Sequence, residues 1–73
     1  MDMVEFLNRA ARGVEWDKSD ADFLRARVLY VEAKAQGLIE GSEYVSREAA
    51  EPEILSFSAK RLTSLGKHVA QGG

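Results

Sequence analysis

Cysteine is absent from this 73-residue sequence, and histidine, proline and tryptophan each occur only once. Without cysteine the chain cannot form a disulfide or offer a thiolate to a metal. The single histidine, His68, has no other ligand or catalytic partner at a suitable spacing. We therefore expect no catalytic residue, no metal site and no cofactor, and we expect the protein not to be an enzyme.

Long apolar runs are also missing. No stretch approaches the roughly 20 apolar residues of a membrane-spanning helix, and Met1 leads into an acidic, amphipathic segment that does not resemble a signal peptide. We expect a cytoplasmic protein with no membrane partner and no evident small-molecule substrate. The length suits one domain, 1–73, with a small core and marginal stability, so cover from a second copy would help.

An excess of positive charge is missing as well, since the net charge is −2, and this does not favour nucleic-acid binding. The charge is nevertheless distributed unevenly. Residues 24–37 carry three bases and one acid, and residues 54–73 carry three bases and no acid. Residues 38–53 carry five acids and one base. The basic surplus therefore lies in the middle of the chain and at its C-terminal end.

The longest helical pattern covers about 19–36. Ser19 can cap it, Asp22 can complete a capping box, and Gly37 can end it in the left-handed conformation. At about 100° per residue, this helix has two apolar stripes on nearly opposite sides. One stripe comprises Ala21, Leu24, Val28, Val31 and Ala35. The other comprises Phe23, Ala26, Leu29, Tyr30 and Ala33. Two stripes predict that something packs on each side, either two parts of this chain or one part and a partner.

The segment before this central helix predicts a shorter one. Residues 2–12 have one apolar face, Asp2 can cap them, and Gly13 can end them. The connection that follows contains Trp16, which we expect to cover one end of the core because a tryptophan buries a large area. The alternative is an exposed Trp16 that anchors a partner.

The segment after the central helix predicts a β-hairpin. Its strands are expected at about 38–45 and 54–62, where the second strand alternates apolar and polar residues. Pro52 prevents a continuous strand between them, so the hairpin has a long loop. A short last helix is expected at about 64–70, capped by Thr63 or Ser64. These elements define an α+β fold.

Two local motifs connect these elements. GLIEG at 37–41 follows the central helix, and RLTSLGK at 61–67 follows the second strand. This combination resembles the ending of many small bacterial and phage winged-helix domains. In those domains a helix ends in a GLI turn, a β-hairpin wing follows, and an LT-x-x-G step leads into a C-terminal helix. The resemblance covers 19–70 and implies a small winged-helix-like domain, in which Gly66 can allow close backbone approach.

The resemblance also implies a function. The helix before GLI resembles a recognition helix, which enters the major groove of DNA. A small DNA-binding transcriptional regulator of unknown target is therefore expected. The candidate DNA contacts carried over by position are Arg25, Arg27 and Lys34 on the helix and Lys60 and Arg61 on the wing. The alternative for the helix residues is a solvated seam with local ion pairs, such as Arg27 with Asp20 or Glu32 with Arg25.

A second function from a different class is a non-enzymatic protein–protein interaction module. It would be a homodimer with the same winged-helix-like fold and no DNA binding. This hypothesis predicts that one stripe of the central helix, or Trp16 with Tyr30, is exposed in the monomer and buried in the assembly. Its candidate interface residues are Trp16, Phe23 and Tyr30.

Overall fold

Three helices and three strands make up the computed structural model, which describes residues 1–48 and 50–72. The helices are α1 (Met3–Ala11), α2 (Phe23–Ala35) and α3 (Ser64–Ala70). The strands are β1 (Glu15–Asp17), β2 (Ser42–Ser46) and β3 (Glu53–Ser58), and they form one antiparallel sheet in the order β1-β3-β2. The predicted α+β class is confirmed. Within the described residues, no helix combines the length and the apolar content needed to cross a bilayer.

The two terminal helices have the caps that the sequence indicates. The Asp2 side chain accepts a hydrogen bond from the Glu5 amide at 2.9 Å, which caps α1. Thr63 accepts one from the Gly66 amide at 3.1 Å, which caps α3. Gly13 follows α1 with a φ of 84°, the left-handed conformation that commonly ends helices. These local signals suffice because each requires only a few neighbouring residues.

The start of α2 differs from the prediction, because the helix begins at Phe23 and Ser19 does not cap it. The Asp17 carboxylate instead accepts hydrogen bonds from the amide and the hydroxyl of Ser19, and these bonds lower the pKa of Asp17. The Asp20 carboxylate accepts a hydrogen bond from the Asp17 amide at 2.9 Å. Such short polar side chains stabilise turns at the expense of helix. Asp22 is the N-cap residue, but its side chain makes no capping bond.

The end of α2 is confirmed, and it packs directly on the start of α3. Gly37 has a φ of 73°, and the Leu38 amide donates to the Ala33 carbonyl at 2.9 Å, as in a Schellman cap. The Thr63 hydroxyl donates to the Gly37 carbonyl at 2.6 Å, and the Thr63 amide donates to the Leu38 carbonyl at 3.0 Å. A Cβ at Gly66 would overlap the Leu38 carbonyl oxygen and lie 2.9 Å from its carbon. The two motifs of the sequence therefore meet, and the expected close approach at Gly66 is confirmed.

The predicted hairpin is confirmed as the antiparallel pair β2 and β3. It is shorter than the prediction, with an isolated bridge between Ile39 and Leu62 beyond its open end. Its register shifts between Tyr44 and Val45, and Val45 pairs with Ile54. This bulge turns Ile54 toward the core, whereas strict alternation from the buried Phe57 would place Leu55 there.

The third strand, β1, was not predicted, since residues 13–18 were expected to be a connection. It has only three residues, and Trp16 pairs with Phe57 at its centre. These two residues belong to an aromatic cluster in which Phe57 is the hub. Its ring centroid lies 4.6 Å from that of Tyr30 and 5.6 Å from those of Trp16 and Phe23. The Phe6 ring stacks on Trp16 at 5.1 Å. Trp16 is thus a core residue, as expected.

Candidate interaction surface

Helix α2 exposes a contiguous apolar surface on the side away from the core. Leu24 is 66% exposed, Val28 51% and Val31 52%, and Ala35 is exposed one turn further on. We call Leu24, Val28, Val31 and Ala35 the outer stripe. The opposite stripe of the same helix is buried and comprises Phe23, Ala26, Leu29, Tyr30 and Ala33. Only one of the two predicted stripes is therefore covered by the described part of the chain.

The structure corrects the placement of the three aromatic interface candidates. Trp16, Phe23 and Tyr30 are all buried, and each ring contacts Phe57. Aromatic side chains bury the largest apolar areas, and these three surround Phe57 in the core. In this fold they offer no surface to a partner, and the exposed apolar residues of α2 are aliphatic.

An open apolar groove continues the outer stripe toward the hairpin. Val31 and Ala35 form its α2 side, and Val45, Pro52 and Ile54 form its hairpin side. Val45 and Ile54 are half-buried, whereas Pro52 is exposed. The apolar surface is thus wider at the C-terminal end of α2 than at its N-terminal end.

A charged pair borders this groove. The Lys34 ammonium lies 2.8 Å from a Glu43 carboxylate oxygen, and this hydrogen bond holds the pKa of Glu43 below its ordinary value. Lys34 also lies over the Tyr30 ring, 5.8 Å from its centroid. The Tyr30 hydroxyl oxygen is buried and has no hydrogen-bond partner within the described residues. Its burial, with the nearby Glu43 carboxylate, raises the pKa of Tyr30.

The five candidate DNA contacts lie on separate parts of the surface. Arg25 and Arg27 lie on opposite edges of the outer stripe, since they are two residues apart on a helix. The Arg25 guanidinium donates to the Met1 carbonyl at 3.0 Å, and the Arg27 guanidinium lies 6.0 Å from the Phe23 ring centroid. Lys34 shares the Arg27 edge but is paired with a carboxylate. The structure therefore gathers only Arg27 and Lys34 on one edge of α2.

The two wing candidates lie beyond the end of β3. Arg61 forms an ion pair with Glu40, with one nitrogen–oxygen distance of 2.9 Å. The hydrogen bond between them lowers the pKa of Glu40 and raises that of Arg61. Lys60 is exposed and has a φ of 57°, which is unusual for a residue other than glycine. The expected local ion pair between Arg27 and Asp20 is absent from the described residues. Lys34 instead pairs with Glu43 in the hairpin, and Arg61 pairs with Glu40 in the GLIEG segment.

One edge of the outer stripe carries two charges of opposite sign. Arg25 and Glu32 lie on this edge, and neither forms an ion pair with any described residue. Among residues 1–48 and 50–72, the Glu32 carboxylate accepts a side-chain hydrogen bond only from Gln36, at 3.2 Å. The two charges are seven positions apart, about 10 Å along the helix axis, and this separation is too large for them to pair with each other. The expected local pair of Glu32 with Arg25 is therefore absent from the ion pairs of the described residues. The position of Glu32 beside an apolar stripe is the sequence signal that marks it as a candidate contact residue.

The described chain shows no cluster of metal-ligating side chains. Among the described residues, no group of three or more His, Cys, Asp or Glu side chains is arranged to hold a metal ion. His68 is exposed on α3. The outer stripe, its charged edges and the adjoining groove are thus the most distinctive surface of the described chain. Comparison with known protein families, curated proteins and solved structures finds no match to this chain.

Proposed function

We propose that this protein is a non-enzymatic protein–protein interaction module that forms a homodimer through the outer stripe of α2. The observation that carries the proposal is the exposure of three large aliphatic side chains, Leu24, Val28 and Val31, on a helix whose opposite face is packed. A surface helix of a globular protein normally has one apolar stripe facing the core and polar residues facing water. A second contiguous stripe, bordered by charges, is typical of a contact surface.

A second copy of the chain suits this surface better than an unrelated partner. An interface around a twofold axis uses the same patch on both subunits, so the patch must complement itself. The outer stripe can bury its apolar residues against an identical stripe. Arg25 and Glu32, which lack ion pairs within the described chain, supply both signs of charge on one edge.

The size of the apolar surface predicts a weak dimer. Full burial of a valine or leucine side chain contributes roughly 1.5–3 kcal/mol, and half to two thirds of each of the three side chains is available for burial. Six such side chains in a dimer contribute roughly 5–10 kcal/mol, which is of the same order as the association cost of about 4–15 kcal/mol. We therefore expect a dissociation constant in the micromolar range or weaker, with the groove beside Ala35 adding to the contact.

Sedimentation equilibrium across a wide concentration range tests this proposal. We expect a monomer at about 1 μM and a growing dimer fraction toward about 1 mM, as mass action requires for such an affinity. Leu24→Glu should abolish the dimer. Leu65→Glu is the matched control, because Leu65 is also a leucine, is 52% exposed and lies on α3. A monomer mass throughout, or equal loss with both variants, would refute the proposed interface.

A winged-helix-like DNA-binding regulator is the second candidate. Two observations favour it: the order of the elements from α2 to α3 follows the resemblance, and Arg25, Arg27 and Lys60 form no ion pair with described residues. Against it, the outward face of α2 is apolar, and a groove-reading helix needs polar side chains there. Binding to a duplex that weakens steeply with salt would support this candidate, and no binding at about 20 mM salt would exclude it.

A further inference from the structure

We infer that the two copies pack α2 against α2 in opposite directions, so that Arg25 of each copy meets the partner's Glu32. This inference rests on the proposed homodimer and adds the direction, the register and the charged contacts of its interface. It assigns to Arg25 a role in protein contact that differs from the DNA contact expected by resemblance.

The spacing of the outer stripe is that of a helix–helix seam. Its residues follow at intervals of four, three and four, as the a and d positions of a coiled coil do. Arg25 and Glu32 then occupy one flanking position, and Arg27 and Lys34 occupy the other. The helix has 13 residues, so the seam is short, at about 20 Å.

The charges of the two edges are compatible with the antiparallel direction. In an antiparallel pair, each flanking edge faces the same edge of the partner, which runs in the opposite direction. Arg25 of each copy therefore lies opposite Glu32 of the other, which gives two equivalent contacts related by the twofold axis. In a parallel pair Glu32 would instead meet the partner's Arg27, which also gives two ion pairs. The position opposite Arg25 would be the partner's Asp20, which lies before the start of α2 and already accepts a hydrogen bond from the Asp17 amide. The antiparallel pair also sets the two helix dipoles head to tail.

The other edge of the antiparallel pair is tolerated because its charge is already compensated. There Arg27 approaches the partner's Lys34, and two free cations would repel each other. Lys34, however, is held 2.8 Å from Glu43 of its own chain. This edge therefore carries less net positive charge than the sequence of α2 alone indicates.

Side-chain size points the same way. Antiparallel packing places Leu24, the largest residue of the outer stripe, opposite the partner's Ala35, the smallest. Ala35 also lines the groove to Val45, Pro52 and Ile54, so there is apolar room for a leucine at that end. Val28 then lies opposite the partner's Val31. Parallel packing would instead bring leucine against leucine at one end and leave alanine against alanine at the other.

Engineered cysteines can read the direction, because the chain has no cysteine of its own. Leu24→Cys and Ala35→Cys chains are oxidised under mild conditions, separately and as an equal mixture, and the disulfides are identified by peptide mass spectrometry. The antiparallel pair predicts a mixed disulfide between positions 24 and 35. Two copies of position 24 would then lie about 16 Å apart along the axis, whereas a disulfide requires Cα atoms within about 7 Å. A Leu65→Cys chain mixed with Leu24→Cys measures the background from random collision.

Charge reversal provides an independent measurement by sedimentation equilibrium. Arg25→Glu and Glu32→Arg should each weaken the dimer by roughly threefold to tenfold, since each change removes two exposed ion pairs and introduces repulsion. The combined variant should return to within about twofold of the original chain. Arg12→Glu, another exposed arginine, should leave the affinity unchanged.

The outcomes separate this inference from the proposal on which it rests. A dimer that is lost in Leu24→Glu but gives 24–24 disulfides as abundantly as mixed ones would overturn the antiparallel direction and keep the homodimer. Mixed disulfides at the background level, or no recovery in the combined charge variant, would likewise overturn the register. A chain that stays monomeric at every concentration would overturn both.

Discussion

Replacing Gly66 by alanine tests the contact that joins the segment after α2 to the start of α3. The added Cβ would overlap the Leu38 carbonyl oxygen. That carbonyl cannot move away freely, because it accepts a hydrogen bond from the Thr63 amide at 3.0 Å. The neighbouring Gly37 carbonyl accepts a second hydrogen bond from the Thr63 hydroxyl. The variant must therefore displace the start of α3 from the end of α2.

The expected cost can be estimated from these contacts. Overpacking costs about 1–3 kcal/mol, and loss or lengthening of the two hydrogen bonds adds about 0.5–1.5 kcal/mol each. Alanine gains up to about 1 kcal/mol over glycine within a helix. The net destabilisation is about 2–4 kcal/mol, out of a total stability of roughly 4–11 kcal/mol for a chain of this size. The melting temperature should fall by roughly 10–25 °C.

Urea denaturation followed by Trp16 fluorescence measures this change, because the single tryptophan is stacked between Phe6 and Phe57. Gly13→Ala is the matched control. Gly13 also has a positive φ, but nothing lies within 4 Å of a Cβ at that position. The free energy of unfolding of Gly13→Ala should fall by only about 1 kcal/mol, because of backbone strain. If Gly66→Ala is as stable as the original chain, or more stable than Gly13→Ala, the described packing of the two motifs is wrong.

Three further predictions concern the environment of Tyr30. Tyr30→Phe removes a buried hydroxyl that has no hydrogen-bond partner among the described residues. Denaturation should therefore show unchanged stability or a gain of up to about 1 kcal/mol. A loss of more than about 1 kcal/mol would instead show that the hydroxyl has a partner. Gly41→Ala should destabilise the chain, since its Cβ would lie 2.6 Å from that hydroxyl, and Tyr30→Phe should restore part of the loss. The pKa of Glu43 is lowered in the folded chain by Lys34, so the stabilisation that this pair contributes is present above the carboxyl's unfolded pKa and is lost as the pH falls through its folded value. Denaturation between about pH 3 and pH 6 should therefore show a smaller pH dependence in Glu43→Gln than in the original chain, and equal slopes would contradict the pairing.

The parts of the fold that were predicted depend on local chemistry. Asp2, Thr63 and Gly37 act on residues within a turn of themselves, so their patterns are legible in the sequence. The start of α2 was misplaced because Ser19 has two possible partners, and Asp17 competes successfully for it. Strand β1 was missed because three residues have too short a pattern, and its position depends on pairing with Phe57 far along the chain.

The candidate surface was predicted only in part, for a similar reason. Two opposed stripes were visible on the central helix, but periodicity does not state which stripe faces inward. The aromatic stripe faces the core because Phe23 and Tyr30 fit around Phe57. Side-chain size therefore carries information that the pattern of apolar positions does not, and the apolar residues that α2 leaves exposed are the aliphatic ones.

The meeting of Gly37, Leu38, Thr63 and Gly66 has a consequence for how related sequences can vary. The contacts join the Gly37 and Leu38 carbonyls to Thr63, and they leave no room for a side chain at Gly66. A replacement in one motif therefore changes which residues fit in the other. A relative with a bulkier residue at position 66 would need a different path for the chain after α2. Correlated replacement of these two short motifs, rather than independent drift, is the pattern to seek in any descendants of a common ancestor.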